Sequence, residues 1–233
     1  MPICLNKINF GGDMHLQPGR LFRFICWLGR LITTEYKVVR LEALAEPAVY
    51  LCRHLGQHGP IISALWLPQP LRFWCLHVYI NKEECRRHFA DYTLAQRLKL
   101  PKWLANLLAY PVGAFMHKAC LSANAIPVYR DRNSFKTMSI SLKALQDGQD
   151  LLLFPNIDYT NHDGGDDLYD GFLYLERFYY KATEKHLAFV PVFIDDDKQQ
   201  VVIGKALRFT DGDFDAQRQG LLKRMNDALD GRF

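Results

Sequence analysis

AVYLCRHLGQHGPII, residues 48–62, is the stretch of the sequence that decides the fold. Its first five residues are apolar and predict a short buried strand. The polar run that follows contains Gly56 and Gly59 and predicts a loop. Pro60 then suits the first turn of a helix, where the N–H that proline lacks would have no partner within the helix. A strand that leads through a loop into a helix is the repeating unit of an α/β sheet.

Further short strands and helices alternate along the rest of the chain. Apolar runs predict strands at 125–129, 150–154, 187–194 and 200–203, and helical periodicity predicts helices at 21–32, 100–121, 134–147, 171–186 and 215–229. Pro111 is expected to interrupt the region 100–121. The alternation predicts an α/β fold, a single-domain mixed sheet flanked by helices over 41–233. A lead-in and an amphipathic helix precede it in 1–40.

Charge and composition narrow the class of protein. The chain has 233 residues, and its formal net charge of +4 is too small to demand nucleic acid as a partner but suits an anionic surface or substrate. Its six cysteines form no C-x-x-C pair, which favours reduced thiols. No apolar run is long enough for a membrane span, and no leader pattern is present. These features predict a cytoplasmic protein, peripheral on the inner membrane face.

The amphipathic helix at 21–32 has two interpretations. Arg23 and Arg30 are seven residues apart on one stripe of an otherwise apolar helix. Such a helix either packs on the domain with its arginines in solvent or lies on a membrane surface. If it lies on a membrane, residues 20–40 should supply the attraction, and a chain that lacks 1–40 should bind vesicles less well.

Four blocks of sequence, in this order, resemble the motifs of the glycerolipid acyltransferase superfamily, of the lysophosphatidate type. In that family the first motif is H-x-x-x-x-D, the second is an apolar strand ending in Arg, the third is F-P-E-G-T-R and the fourth is an apolar strand with a central Pro. The matching blocks here are RHLGQHGP at 53–60, AIPVYR at 125–130, LLFPN at 152–156 and FVPV at 189–192. The gap between the first two is long for the family, and the excess is assigned to an insertion around 69–100.

The resemblance implies a reaction and a role for each site residue. An acyl group would pass from acyl-CoA or acyl carrier protein, as co-substrate, to a hydroxyl acceptor such as a lysophospholipid. His54 would be the base that takes the hydroxyl proton. Arg130, assisted by Arg132, would bind the phosphate of the acceptor, and Asn156 and Asp158 would contact the acceptor from the third motif. An apolar groove at 103–115 would hold the acyl chain.

The first motif departs from the family at Gly59, where the family has an Asp that orients the histidine. Either Asp158, Asp163 or a backbone carbonyl replaces that carboxylate, or activity is lost. If only the carboxylate is missing, Gly59→Asp should raise turnover. His58 is not expected to be catalytic, because Pro60 indicates that the loop extends past it.

Two other functions remain open at the level of sequence. A catalytically silent family member would keep the fold and bind lipid or a protein partner. An unrelated α/β hydrolase would need a G-x-S-x-G nucleophile elbow, which the sequence lacks. The acidic tract 158–170 does not follow the EF-hand spacing, and no zinc or nucleotide motif is found, so neither a metal nor a cofactor is expected.

Overall fold

The computed structural model describes residues 17–129, 133–156 and 168–233. The strands are β1 (Lys37–Arg40), β2 (Ala48–Cys52), β3 (Leu71–Leu76), β4 (Ile126–Val128), β5 (Asp150–Leu153), β6 (Ala188–Asp195) and β7 (Gln200–Ile203). The α-helices are α1 (Arg20–Ile32), α2 (His58–Trp66), α3 (Lys82–His88), α4 (Lys102–Ser122), α5 (Ser134–Gln146), α6 (Leu175–Thr183) and α7 (Phe214–Leu229). The predicted alternation of strands and helices is confirmed.

All seven strands belong to one mixed sheet in the order β1-β7-β6-β2-β5-β3-β4. Every neighbouring pair is parallel except β6 and β7, which form an antiparallel pair. The sheet therefore has one edge at which β2, β3, β4, β5 and β6 all end. We call this edge the carboxyl edge. The turn between β6 and β7 and the residue that precedes β1 lie at the same edge, because β7 runs antiparallel to β6 and β1 runs parallel to β7.

Strand β2 is buried along its whole length and alternates between two apolar clusters. Val49 and Leu51 pack on one face, among residues of α5, α6 and α7. Ala48, Tyr50 and Cys52 pack on the other face, with Ile62 of α2. A strand that is apolar on both faces is typical of a sheet covered by helices on both sides. The expectation of a sheet flanked by helices is thus confirmed.

Two strands were not predicted from the sequence. β1 is a short edge strand, so the last four residues of the segment 1–40 belong to the sheet. β3 lies between β5 and β4, inside the region 69–100 that was assigned to an insertion. The part of this region that leaves the sheet is shorter than the predicted insertion. It runs from a 3₁₀ turn at His77–Ile80 through α3 to a π-helix at Phe89–Arg97. A separate small core around Cys85, Phe89 and Ala109 holds it against α4.

The predicted interruption at Pro111 was wrong, because α4 continues through it from Lys102 to Ser122. Proline removes one hydrogen bond from a helix and crowds the preceding turn. Here small residues let the helix pack closely against its neighbours, since Ala105, Ala109 and Gly113 are buried on one stripe. Gly113 lies so close to Arg86 that an added Cβ would be 2.9 Å from its Cα. Tertiary packing therefore overrides the local effect of Pro111.

Candidate functional site

The connections that follow the neighbouring parallel strands β2 and β5 lead to opposite sides of the sheet. From β2 the chain passes through α2 to β3 on one side, and from β5 it passes through α6 to β6 on the other side. Right-handed crossovers in opposite directions place the two helices on opposite faces of the sheet. The core clusters agree, since Ile62 of α2 packs on one face and Leu175 of α6 on the other. Ligands of open α/β sheets bind at such a point, outside the carboxyl ends of the strands.

The loops that follow β2 and β5 meet at this point. The backbone N–H of His54 donates to Oδ1 of Asn156 at 2.7 Å. The ring of His54 also meets Phe154 edge to face, with 5.6 Å between ring centroids. Asn156 is buried, and its backbone forms an antiparallel bridge with Leu168. The first and third motifs are therefore joined, and Asn156 fixes the backbone from which the imidazole of His54 projects.

A tight turn separates His54 from α2. Leu55 and Gly56 both have left-handed backbone conformations, with φ of 45° and 67°. That conformation costs little for glycine but about 1 kcal/mol or more for leucine. Hydrogen bonds close the turn, from His58 N–H to Leu55 O and from Gly59 N–H to His54 O, each at 3.1 Å. The turn is thus a strained segment that the surrounding packing maintains.

Arg53 anchors the beginning of this loop in the core. Its side chain is buried and binds Asp230 at 2.7 Å and the side-chain oxygen of Asn226 at 2.9 Å. Both partners belong to the end of α7 and the residue after it. A charge-assisted hydrogen bond of this kind is stronger than a neutral one. Arg53 therefore ties the site loop to the C-terminal helix.

Gly59 lies against the same loop with no room for a side chain. A Cβ built on Gly59 would be 1.8 Å from the carbonyl oxygen of Arg53 and 3.0 Å from that of His54. Both obstructing atoms belong to the backbone, so they cannot move aside as a flexible side chain would. The position at which the family has its orienting Asp is therefore closed to any side chain in this loop geometry. This geometry argues against the expectation that Gly59→Asp would restore a carboxylate beside His54, since the loop backbone would have to move to admit it.

A carboxylate does reach an imidazole at the carboxyl edge, but the imidazole is that of His58. Nε2 of His58 is 2.8 Å from Oδ1 of Asp196, in the turn between β6 and β7. The hydroxyl of Tyr36 donates to the same Asp196 oxygen at 2.6 Å. The ring of Tyr36 meets the ring of His58 edge to face, with 63° between the ring planes. Burial, followed by the hydrogen bond and the charge of Asp196, raises the pKa of Tyr36 to about 12, so the phenol keeps its proton.

The sequence did not predict this cluster. The expectation that the loop extends past His58 was wrong, because α2 begins at His58 and Pro60 occupies its first turn. The signal that could have found the cluster is topological. Residues that follow β6 lie at the same edge as residues that follow β2, so Asp196 and His58 are neighbours in the fold although they are 138 residues apart in the chain.

Three of the predicted site residues, Arg130, Arg132 and Asp158, lie outside the described residues, as does Asp163. The strand that precedes Arg130, β4, ends at the carboxyl edge, two positions from β5. His54 and Asn156, the other two predicted site residues, are the pair joined by the hydrogen bond described above. Within the described ranges, no group of three or more His, Cys, Asp or Glu residues is arranged to hold a metal ion.

The residues expected to line an acyl groove form an open surface instead. Trp103, Leu107, Tyr110 and Phe115 of α4 are exposed, and Trp103 keeps 70% of its surface. Helix α1 contacts α4 and α2 without burying any residue completely. It exposes Phe24, Trp27, Leu28, Leu31 and Ile32. We call the exposed apolar residues of α1 and α4 the apolar surface.

Arg30 has a defined position beside this surface. It donates to the carbonyl of Leu65 at 2.6 Å and lies over the ring of Trp66. Arg20 and Arg23 are exposed. Over the parts of the chain that the structure covers, no helix has both the length and the apolar composition needed to cross a bilayer.

Comparison of the chain with known proteins found no matching family model, no matching curated protein and no matching solved structure. The resemblance to the acyltransferase superfamily therefore rests on the sequence motifs.

Proposed function

We propose that the protein transfers a fatty acyl group from a thioester, acyl-CoA or acyl carrier protein, to a hydroxyl acceptor of the lysophospholipid class. The observation that carries the proposal is the hydrogen bond between His54 N–H and Asn156 Oδ1. It joins two separate motifs at the point of the sheet where ligands of open α/β folds bind. The motif order in the sequence supplies the reaction class.

The imidazole of His54 takes the proton of the acceptor hydroxyl in the proposed reaction. The hydroxyl oxygen bonds to the thioester carbon, the C–S bond breaks, and the leaving thiolate takes the proton from the imidazolium. Asn156 is the positioning residue, because it holds the backbone of His54. Arg130 and Arg132 bind the phosphate of the acceptor in this proposal, a role that the family resemblance implies.

The test is acyl transfer by the full chain, with long-chain acyl-CoA as donor and a panel of lysophospholipids as acceptors. His54→Ala is expected to lower the transfer rate about 10²-fold or more, since a general base contributes about 10²- to 10⁴-fold. Asn156→Ala should lower the rate while leaving the affinity for acyl-CoA unchanged. His117→Gln is the matched control. His117 lies on α4, and its ring is hydrogen-bonded to the carbonyl of Tyr79 in the 3₁₀ turn, so this variant should keep the wild-type rate.

A second function, a silent protein that binds acyl chains without turnover, is favoured by one observation. Gly59 leaves no space for the family's carboxylate, so no residue at this position orients His54. In that case acyl-CoA binds with equal affinity to the wild type and to His54→Ala, and neither transfers the acyl group. Calorimetric titration with acyl-CoA beside the transfer assay separates the two functions.

We also propose that the apolar surface lies on an anionic membrane, where the acceptor lipid is found. The sequences of α1 and α4 together contain Arg20, Arg23, Arg30, Lys102 and Lys118 but no Asp or Glu. A surface that combines exposed Trp and Phe side chains with basic residues suits the headgroup region of such a membrane. This location would bring the carboxyl edge close to its lipid substrate.

A further inference from the structure

The His58–Asp196–Tyr36 cluster takes no part in the transfer proposed above, although its geometry resembles that of a catalytic base. The three side chains come from the start of α2, from the turn after β6 and from the residue before β1. Both hydrogen bonds end on one oxygen of Asp196, at 2.6 Å and 2.8 Å. Three distant segments thus converge on one carboxylate at the carboxyl edge.

The shared carboxylate decides which nitrogen of His58 is basic. Asp196 can only accept hydrogen bonds when ionised, so Nε2 of His58 must carry a hydrogen and donate it. In the neutral imidazole the lone pair is then on Nδ1. Within the described part of the chain, Nδ1 of His58 makes no hydrogen bond, and 38% of the side chain is open to solvent. Asp196 would stabilise the imidazolium once Nδ1 has taken a proton.

Tyr36 fixes the carboxylate in turn. The ring of Tyr36 is buried, and its hydroxyl donates to Asp196. The neighbouring Asp195 is held separately by Lys198 at 2.8 Å. The charge of Asp195 is therefore balanced locally, and Asp196 remains directed at His58 and Tyr36.

We infer that His58, Asp196 and Tyr36 form a second catalytic site that hydrolyses an acyl thioester, with Nδ1 of His58 as the base for water. The inference rests on the proposed binding of an acyl thioester at the carboxyl edge, because His54 and His58 flank one turn. His54 packs against Phe154, whereas His58 and Asp196 face solvent, so water is the nucleophile within reach of His58.

The reaction balances without a further reactant. Nδ1 takes a proton from water, and the water oxygen bonds to the thioester carbon. The C–S bond breaks, and the thiolate leaves with the proton that the imidazolium returns. The products are a fatty acid and the free thiol of CoA or of the carrier protein.

The test is thiol release from palmitoyl-CoA by the full chain in the absence of any hydroxyl acceptor. His58→Gln keeps a donor for Asp196 but has no basic nitrogen, and it should lower the rate of release about 10²-fold. Asp196→Asn should lower it as well. His186→Gln and Asp211→Asn are the matched controls, because they alter a His–Asp contact before β6, at the opposite edge of the sheet, and should leave the rate unchanged.

Two further measurements test the role of His58 separately from the proposed acyl transfer. The ¹⁵N chemical shifts of the neutral His58 ring should show the lone pair on Nδ1, and a lone pair on Nε2 would overturn the inference. The second decisive result would be a wild-type chain that transfers acyl groups to a lysophospholipid and yet, without an acceptor, releases thiol no faster than His58→Gln. That result would overturn the inferred hydrolysis and leave the proposed transfer intact. Failure of acyl-CoA to bind at all, by calorimetry, would overturn both.

Discussion

Gly59 shows how one residue sets the chemistry that a loop can support. A helix can approach the end of a buried strand this closely only if the facing residue lacks a Cβ. At this position the turn is compact, and the carbonyl of Arg53 lies against the first turn of α2. The same contact leaves no space for a carboxylate at the position where the acyltransferase motif has its Asp. The described structure instead directs a carboxylate, Asp196, to the next histidine in the chain.

Gly59→Ala is expected to destabilise the protein by about 1–3 kcal/mol or more, because the added methyl group overlaps a backbone carbonyl. It should also lower the proposed transfer activity, since relief of the overlap moves the loop of His54. The measurement is urea unfolding beside the transfer assay. Gly220→Ala is the control, because a Cβ at Gly220 in α7 meets nothing within 4 Å. The Gly220→Ala variant should be up to about 1 kcal/mol more stable than the wild type, because alanine has the higher helix propensity. A Gly59→Ala variant as stable as the wild type would contradict the close contact at Gly59.

Helix α1 is the element whose sequence and structure point most directly to an interaction outside the chain. It is a mostly apolar helix with three arginines, yet it buries none of its residues completely against the domain. Packing with α2 and α4 uses only its inner stripe, for example Gly29 against Leu65. The outer stripe, which contains Trp27 and Leu31, is left to solvent or to a surface.

Trp27→Ser combined with Leu31→Ser should weaken binding to anionic vesicles by roughly 3 kcal/mol, about a hundredfold, because two exposed apolar side chains lose their burial in lipid. Binding of the wild type should also fall as salt rises, since the arginines are attracted to anionic headgroups. Co-sedimentation with vesicles of anionic and zwitterionic lipid measures both effects. These substitutions are preferable to deletion of 1–40, which would also remove β1 from the sheet.

The control for this experiment is Phe135→Ser combined with Phe233→Ser. Both side chains are more than half exposed and lie outside α1 and α4. This pair should bind vesicles like the wild type. Equal loss of binding in the two double variants would mean that α1 has no special role.

The contact between α6 and β6 adds a pH-dependent element to the stability. Glu176 of α6 is buried and binds Nδ1 of His186 at 2.7 Å and the N–H of Leu187 at 2.8 Å. The pKa of His186 is raised, chiefly by the hydrogen bond to Glu176. The charges of Glu176 and Asp211 raise this pKa further, whereas burial of the ring lowers it. The folded state therefore binds a proton at His186 more tightly than the unfolded state does.

The sign of the effect follows from this raised pKa. The contribution of His186 to stability is complete at pH below the unfolded-state pKa of about 6.5. It is lost as pH rises through the higher pKa of the folded state. The free energy of unfolding, measured in urea between pH 5 and pH 9, should fall through this window in the wild type. His186→Gln should show a flatter profile, and an unchanged profile would exclude His186 as the source.

At the scale of the whole molecule, the sequence predicted β2, β4, β5, β6 and β7 and missed β1 and β3. β2 and β7 were predicted within their observed bounds, because each is a short run rich in apolar residues. β1 is bounded by Lys37 and Arg40, as is common for edge strands, and gave too weak a signal. β3 contains Arg72, whose guanidinium donates to Asn124 O and to the side chain of Gln149, both far away in the sequence.

The same reason explains which part of the site could be predicted. The motifs identified His54 and Asn156, and the structure joins them. The His58 cluster could not be predicted from the sequence. Asp196 and Tyr36, the partners of His58, are 160 residues apart in the chain and come together through the pairing of β1 with β7. A linear pattern identifies residues on neighbouring turns, whereas this cluster depends on strand order.

The strand order also constrains how the chain can fold as it leaves the ribosome. The central strand β2 pairs only with β5 and β6, and His54 must wait for a partner 102 residues further along. Until β5 has been synthesised, a fully apolar strand has no neighbour in the sheet, which exposes it to association with other chains. Contacts of such long sequence separation also make folding slow, because loop closure precedes any gain from pairing. The site is thus among the last parts of the molecule to form.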